Sequence, residues 1–378
     1  MKSLFPIFKD KENFICLDSA ATTQKPAVVL DALREGYMRY SFPAGRSVYR
    51  YAEESYEIIN DAKEVTSRLL FGGLPEDNIF FAPSATVASN EIIHGLKDTI
   101  KSNDSVAVQL DSHNSVIAPL IELQKILKFK MYFFSYDDLK RLTKIKNLRY
   151  VFVSAISNVT GHEMRLIKLK NYISQDTFVF VDAAQLFSLK LFNSKDYYVD
   201  AIWGSSHKMY GPYGGAPVYI SDRLSSKLKP TVIGGGNIED VASDKVVLRD
   251  FPNNFSFGSV NVPEIYAYIK ACKWVSENIY NTDKSSYLKL ASDLTAGLIE
   301  SGYRVVSDEK SEKIITFYHP KISSHDIADK LSNENICVRS GYFCSHLFFK
   351  ENKIPSCIRV SLGCYNSESE LNKIDLSM

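Results

Sequence analysis

The sequence predicts an α/β fold, in which a large domain with a mostly parallel sheet flanked by helices is followed by a smaller C-terminal α/β domain. Three observations carry that prediction. Apolar runs without polar alternation recur at 78–82, 106–110, 150–154, 178–181 and 201–203, the pattern of strands buried on both faces of a parallel sheet. Helical stretches alternate with these runs from about residue 79 to 220, which places helices on both faces of the sheet. The 378 residues are enough for two domains, expected at 19–248 and at 249–378, the latter joined by 1–18.

Composition sets the outer limits. Hydrophobic residues make up 45% and charged residues 24%, as in ordinary globular chains. A formal net charge of +1 offers no bulk attraction to nucleic acid or to a membrane surface. The opening MKSLFPIFKDKENF returns to charge too soon for a secretory signal, and no window nears the roughly 18 apolar residues of a spanning helix. Six cysteines in a chain this long make no disulfide scaffold. The four near the C-terminus, spaced C-x6-C-x12-C-x6-C, lack the close pairs of a structural zinc site. A reducing, cytoplasmic compartment is expected.

Taken in order, the chain opens with a small-residue turn at 18–23 that enters a helix carrying Val28, Val29, Ala32 and Leu33. A second helix, at about 53–71, is apolar on one face through Ile58, Ile59, Ala62, Val65 and Leu69. The run at 78–82 turns through Pro83-Ser84-Ala85-Thr86 into a helix with Ile92, Ile93 and Leu96. Such a turn offers free backbone N–H groups to a phosphate, and Thr86 also suits a helix N-cap. The run at 106–110 ends in Asp111-Ser112-His113, and the run at 150–154 leads to Ser157-Asn158-Val159-Thr160-Gly161. His113 is either a structural histidine or a group that exchanges protons at a strand end.

The most informative stretch is 178–215. Asp182 and Gln185 follow one buried run, and Gly204-Ser205-Ser206-His207-Lys208 follows the next. Ligands of open α/β sheets bind outside the carboxyl ends of the strands, so Asp182 and Lys208 face one crevice. A lysine there forms a Schiff base with an aldehyde cofactor when burial beside positive groups favours its neutral amine. An acid meeting a pyridine nitrogen keeps that ring protonated and makes it an electron sink. The pair is what pyridoxal 5'-phosphate chemistry requires.

The wording V-D-A-A-Q followed by S-x-H-K-x-Y-G-P resembles the class V aminotransferase family, and within it the SufS-type cysteine desulfurases. So do L-D-S-A-A-T-x-Q-K-P at 17–26 and S-N-x-x-G at 157–161. The resemblance covers nearly the whole chain and implies a fold-type-I pyridoxal phosphate enzyme. It implies phosphate contacts from Thr86, Ser205 and His207, a ring-stacking role for His113, a ring-hydroxyl contact for Gln185, and Asn158 near the ring and the substrate carboxylate. Asn254–Asn261 stands where the family has E-x-G-T-P-N, so Ser259 is expected to reach the phosphate in the other subunit of a homodimer. The pattern also departs from the family: Ser47 and Tyr49 follow Arg46 where R-G-x-H is usual, and Pro83 and Val87 stand in the R-G-T-T-E position.

In the smaller domain, helices are expected near 262–278 and 287–300 and short strands at 314–318 and 336–339. Arg339-Ser340-Gly341-Tyr342-Phe343-Cys344 and Arg359-Val360-Ser361-Leu362 resemble the desulfurase catalytic loop and its carboxylate-binding arginine. A guanidinium fork suits the planar carboxylate of an amino acid, and a mobile thiolate attacks the substrate sulfur. Arg339 and Arg359 are therefore the substrate-binding candidates and Cys344 the nucleophile. Cys337, Cys357 and Cys364 lie in or beside apolar strands and are expected in the core. Phe343 replaces the histidine that precedes the cysteine in many SufS sequences. The short loop predicts a persulfide poorly reached by small thiols.

The resemblance thus implies conversion of L-cysteine to L-alanine, with a persulfide passed to a sulfur-acceptor protein. The alternatives are a selenocysteine lyase or aminotransferase of the same class, or a non-catalytic paralogue. Products separate the first two from a desulfurase, and loss of turnover marks the third.

Overall fold

A computed structural model describes residues 1–374 except Glu12, Arg46, Asp196 and Tyr197, and Ser286 by its backbone alone. Arg46, matched above to a family loop, lies outside the described residues. The first strand, β1 (Ile15–Cys16), belongs to neither large sheet. Seven strands then form the main sheet: β2 (Ile79–Ala82), β3 (Ser105–Gln109), β4 (Lys130–Phe134), β5 (Leu148–Ser154), β6 (Phe178–Asp182), β7 (Ala201–Trp203) and β8 (Ala216–Ile220). Their order is β2-β8-β7-β6-β5-β3-β4, with β8 antiparallel to both neighbours and the rest parallel.

The lack of alternation in these strands has a direct cause. Val179 and Val181 pack into one core, beneath one face of the sheet, while Phe178 and Phe180 pack into a second core on the other face. Helices Ala27–Arg39 and Arg50–Leu69 cover the first face, and Ala85–Gly95 and Asn114–Leu127 the second. Because β8 is antiparallel to β2 and β7, the carboxyl ends of β2, β3, β5, β6 and β7 all open on one edge. That edge carries the site.

After a hairpin of β9 (Ile238–Val241) and β10 (Val246–Leu248), the chain enters helix Val262–Val275. The expectation placed this helix in the smaller domain. It packs instead on Ala27–Arg39 and Arg50–Leu69, burying Ile265, Tyr268, Ala271 and Cys272 in the first core. Its two apolar faces require that setting.

The smaller sheet is antiparallel, in the order β11-β12-β15-β14, from β11 (Arg304–Val305), β12 (Ile314–Tyr318), β14 (Arg339–Gly341) and β15 (Cys357–Ser361). Between them β13 (Ile336–Cys337) pairs in parallel with β1. The single strand expected at 336–339 is thus two strands with different partners. Ile15 and Leu17 enter the small core with Ile315, Phe317, Ile358 and Val360. The segment from Ile15 onward works as a strap. Ser19 N–H donates to the Ser361 carbonyl at 3.2 Å and Thr23 N–H to that of His207 at 3.1 Å, tying the small sheet to the lysine turn. Among the described residues, no helix is long and apolar enough to cross a membrane.

Candidate active site

Each candidate is delivered by a strand end. Asp182 closes β6, beside Ser154 of β5 and Trp203 of β7. Its Oδ1 accepts the Ala184 N–H at 2.9 Å, which turns the chain away and leaves the carboxyl aimed off the sheet. After β7, a 3-10 turn at Ser206–Lys208 swings Lys208 inward. Both side chains line one cavity of about 380 Å³, together with Thr86, His113, Asn158, Gln185, Ser205, His207, Arg339, Cys344 and Arg359. Eleven of the twelve candidate residues thus converge. Ser259 stands apart, lining a separate cavity of about 820 Å³ with Arg50 and Gly258.

Electrostatics follow from burial. Desolvation raises the Asp182 carboxyl, against the Ala184 N–H and Lys208. It lowers Lys208, opposed by Asp182 and assisted by Arg359, so the lysine tends toward the neutral amine. His113 is held down to about 4 by burial and then by Lys208 and Arg359. Its Nδ1 accepts the Ser115 N–H at 3.1 Å, which only an imidazole unprotonated at that nitrogen does. His207 is likewise lowered to about 4, by burial, Lys208 and Lys25. Both rings are neutral near pH 7.

The smaller sheet supplies the arginines. Arg339 grips both carboxylate oxygens of Asp18, through Nε at 3.2 and 3.0 Å and Nη2 at 2.8 Å. Arg359, 3% exposed, reaches Asp18 Oδ1 with Nη2 at 3.3 Å and the Asn158 carbonyl with Nη1 at 2.9 Å. Burial lowers it to about 10, Asp18 opposing. Its buried Nε has no hydrogen-bond partner among the described residues. An unpaired donor beside a shared Nη2 is an open edge for a carboxylate.

Cys344 lies in a turn of positive φ, +116° at Gly341, +48° at Phe343 and +55° at Cys344. Each left-handed non-glycine residue costs about 1–2 kcal/mol, so this loop needs anchors. Asn114 N–H donates to the Cys344 carbonyl at 2.6 Å, and Asn158 Nδ2 to that of Phe343 at 2.7 Å. The Phe343 ring lies 5.0 Å from the Arg359 guanidinium.

Several expectations need amending. Cys344 is exposed rather than shielded, because the turn lifts it off β14 at the cavity mouth. Cys337 is exposed while Cys357 and Cys364 are buried. It lies on the two-residue β13, whose Ile336 takes the core side. Ser84, not Thr86, caps helix Ala85–Gly95, its hydroxyl accepting the Val87 N–H at 3.2 Å. Thr86 sits in the first turn, beside the cavity. Gln185 donates one amide N–H to the Ala20 carbonyl at 2.8 Å, which leaves its second N–H and its Oε1 for the ring hydroxyl that resemblance assigns to it.

Sequence reasoning passed over two residues. Asp18 was visible only as part of a motif, and nothing local pairs it with arginines far along the chain. Lys25 donates to the His207 carbonyl at 2.9 Å, beside the Thr22 hydroxyl at 3.1 Å and the Thr23 hydroxyl at 3.2 Å. This clamp fixes the turn that presents Lys208.

The donor set fits pyridoxal phosphate. The buried His207 Nδ1 lacks a partner among the described residues, and the first-turn N–H groups at Ala85 and Thr86 are free by helix geometry. Both suit a phosphate, while Asp182 suits a ring nitrogen and Lys208 an aldehyde.

An open α/β sheet with a buried lysine and aspartate at neighbouring strand ends, faced by an arginine from a second sheet, defines a class of lysine-centred enzymes. The Aminotransferase class-V profile matches residues 15–374, and the chain belongs to that family. A probable cysteine desulfurase of Mycoplasma genitalium is 28% identical over 379 residues, spanning 97% of this chain and 92% of that protein. One of Ureaplasma parvum is 29% identical over 385 residues, spanning 99% and 95%. The apo cysteine desulfurase of Thermococcus onnurineus NA1 superposes with a TM-score of 0.90 at 25% identity, covering 98% of this chain and 94% of its own.

Proposed function

We propose that this chain is a pyridoxal phosphate-dependent cysteine desulfurase of the SufS type, which converts L-cysteine to L-alanine and leaves a persulfide on Cys344. The observation that carries this reading is Cys344 on a left-handed turn, lining the same cavity as Lys208, Asp182 and Arg359. An aminotransferase has no use for a thiol there.

Lys208 holds the cofactor, Asp182 meets its ring nitrogen and Gln185 its ring hydroxyl. Thr86, Ser205 and His207 hold the phosphate, and His113 faces the ring as an uncharged imidazole. Bound pyridoxal phosphate supplies an electron sink that acidifies the α-proton of an amino acid. Arg359 binds the substrate carboxylate through its open Nε edge, and Arg339 adds positive charge at the mouth. The Lys208 amine, lowered by burial, takes the α-proton and returns it. The Cys344 thiolate bonds to the substrate sulfur as that sulfur leaves Cβ, and a proton delivered to Cβ completes alanine. Every atom of cysteine is then in alanine or in the persulfide.

Ser259 lies outside the Lys208 cavity of its own chain, and this supports a homodimer in which it reaches the other subunit's phosphate. The exposed Cys344 suits transfer to a sulfur-acceptor protein, and a reducing cytoplasm keeps it a thiol. The test is product analysis of the holoprotein with L-cysteine: alanine and Cys344 persulfide in equal amounts on the first turnover. Keto acid in place of alanine would point to an aminotransferase, and no turnover to a non-catalytic paralogue.

Arg359→Ala should raise the cysteine KM with little change in cofactor content, since the arginine bonds Asp18 and the Asn158 carbonyl and offers its free edge to the substrate rather than to the cofactor. Losing a buried charge-assisted pair costs about 2–5 kcal/mol, tenfold for about every 1.4 kcal/mol. A KM within about twofold of wild type would mean that another group holds the carboxylate.

A further inference from the structure

The carboxamide of Asn158 is turned toward the nucleophile. Its Nδ2 donates to the Phe343 carbonyl at 2.7 Å and its Oδ1 accepts the Ser345 hydroxyl at 3.4 Å, while the backbone carbonyl of Asn158 accepts from Arg359 Nη1 at 2.9 Å. These contacts bracket Cys344, with one anchor on the residue before it and one on the residue after. The two residues at φ +48° and +55° are both non-glycine, so the turn persists only while its surroundings hold it. We propose that Asn158 is the positioning residue of the Cys344 loop: it keeps the thiol in its left-handed presentation and couples that presentation to Arg359.

The coupling has two routes. The Arg359 guanidinium bonds to the Asn158 backbone and lies over the Phe343 ring. The group expected to take the substrate carboxylate therefore touches both ends of the latch. Phe343 is buried against Val159, Phe349 and Cys357, so the side-chain half of the loop is fixed by packing. The backbone half depends on hydrogen bonds, from Asn158 to Phe343 and from Asn114 to the Cys344 carbonyl at 2.6 Å. This goes beyond the ring and carboxylate contact that resemblance assigns to Asn158, and its activity readout rests on the desulfurase reading.

The test compares wild-type holoprotein with Asn158→Ala and with Asn158→Asp, which keeps the size of the side chain and removes the donor. Backbone hydrogen exchange of the 340–348 segment should speed up at least about tenfold in both variants. Alanine formation should fall about 10²-fold from the misplaced thiol, at least about tenfold more than exchange of the cysteine α-proton, which the ring and carboxylate contact of Asn158 also slows. Should the alanine variant fail to fold, the aspartate variant gives the same readouts. Unchanged hydrogen exchange in the 340–348 segment would overturn the proposal. So would α-proton exchange and alanine formation falling together, the mark of a residue serving only cofactor or substrate. If wild type makes no alanine, the desulfurase reading fails, and the hydrogen-exchange comparison still decides whether Asn158 holds the loop.

Discussion

Lys208→Ala is expected to lose covalently held pyridoxal phosphate, with its yellow colour, and to lower cysteine turnover at least about 10³-fold. Removing a positioned proton-transfer group alone costs about 10²–10⁴-fold, and here the same amine also anchors the cofactor. The structure contains a rival for that anchor. Lys25 lies next to the same turn, but its nitrogen donates to the Thr23 carbonyl at 2.5 Å, the His207 carbonyl at 2.9 Å and the Thr22 hydroxyl at 3.3 Å. Burial lowers Lys25 to about 7, but these three acceptors hold its nitrogen in the turn, and Lys25 is not among the residues that line the cavity. Lys208 Nζ makes no hydrogen bond among the described residues and lines the cavity opposite Asp182. Borohydride reduction of the holoprotein followed by peptide mass mapping should find the cofactor on Lys208. Finding it on Lys25, or nowhere after excess cofactor, would sink the assignment.

The parts of the fold that were legible in sequence are those where local pattern and tertiary setting agree. The run at 178–182 could be read because both faces of β6 are buried, so every position is apolar up to the functional aspartate. Strand β4 escaped because it is the sheet edge: Lys130 is exposed and Met131, Tyr132 and Phe133 only half-buried, which blunts the signal. Strand β8 escaped because Pro217 argues against a strand paired on both sides. It is tolerated at Ala216–Ile220, next to the strand's start, between β2 and β7. Helix Val262–Val275 was legible as a helix, but its partners are far away in sequence and its domain could not be read.

The site divides the same way. Asp182, Gln185, His207 and Lys208 lie within one short stretch, from the end of β6 to the turn after β7, where residue type and strand end together specify the chemistry. Arg359 and Cys344 were legible through motif. The carboxylate that holds both arginines was not, since Asp18 stands 321 residues from Arg339 and reaches it only because β1 pairs with β13 in register. The Asn158 carboxamide turning toward Cys344 depends on a tertiary approach across 185 residues. No spacing rule reports it.

Cys344→Ser separates cofactor chemistry from sulfur transfer. Lys208 and Asp182 need no protein thiol to bind cysteine and labilise its α-proton, so the variant should load cofactor normally and exchange that proton at a rate near wild type. Breaking the C–S bond is different, because the departing sulfur needs a nucleophile to receive it. Serine has nearly the same size and keeps the anchors at the Phe343 and Cys344 carbonyls, which leaves the loop in place. Its hydroxyl is a far weaker partner for sulfur, and alanine formation should fall at least about 10³-fold, as when other enzymes lose their nucleophile. Wild-type protein given cysteine should accumulate one persulfide, on Cys344. Because Cys344 is exposed, dithiothreitol should strip that sulfur readily as sulfide. A matching sulfur-acceptor protein should raise turnover further. Of the remaining thiols, Cys272 and Cys357 are both pushed up to about 12 by burial and Cys364 to about 11, so none of these three supplies a thiolate in its place. Alanine output at the wild-type rate from Cys344→Ser would refute the mechanism, even with cofactor bound to Lys208.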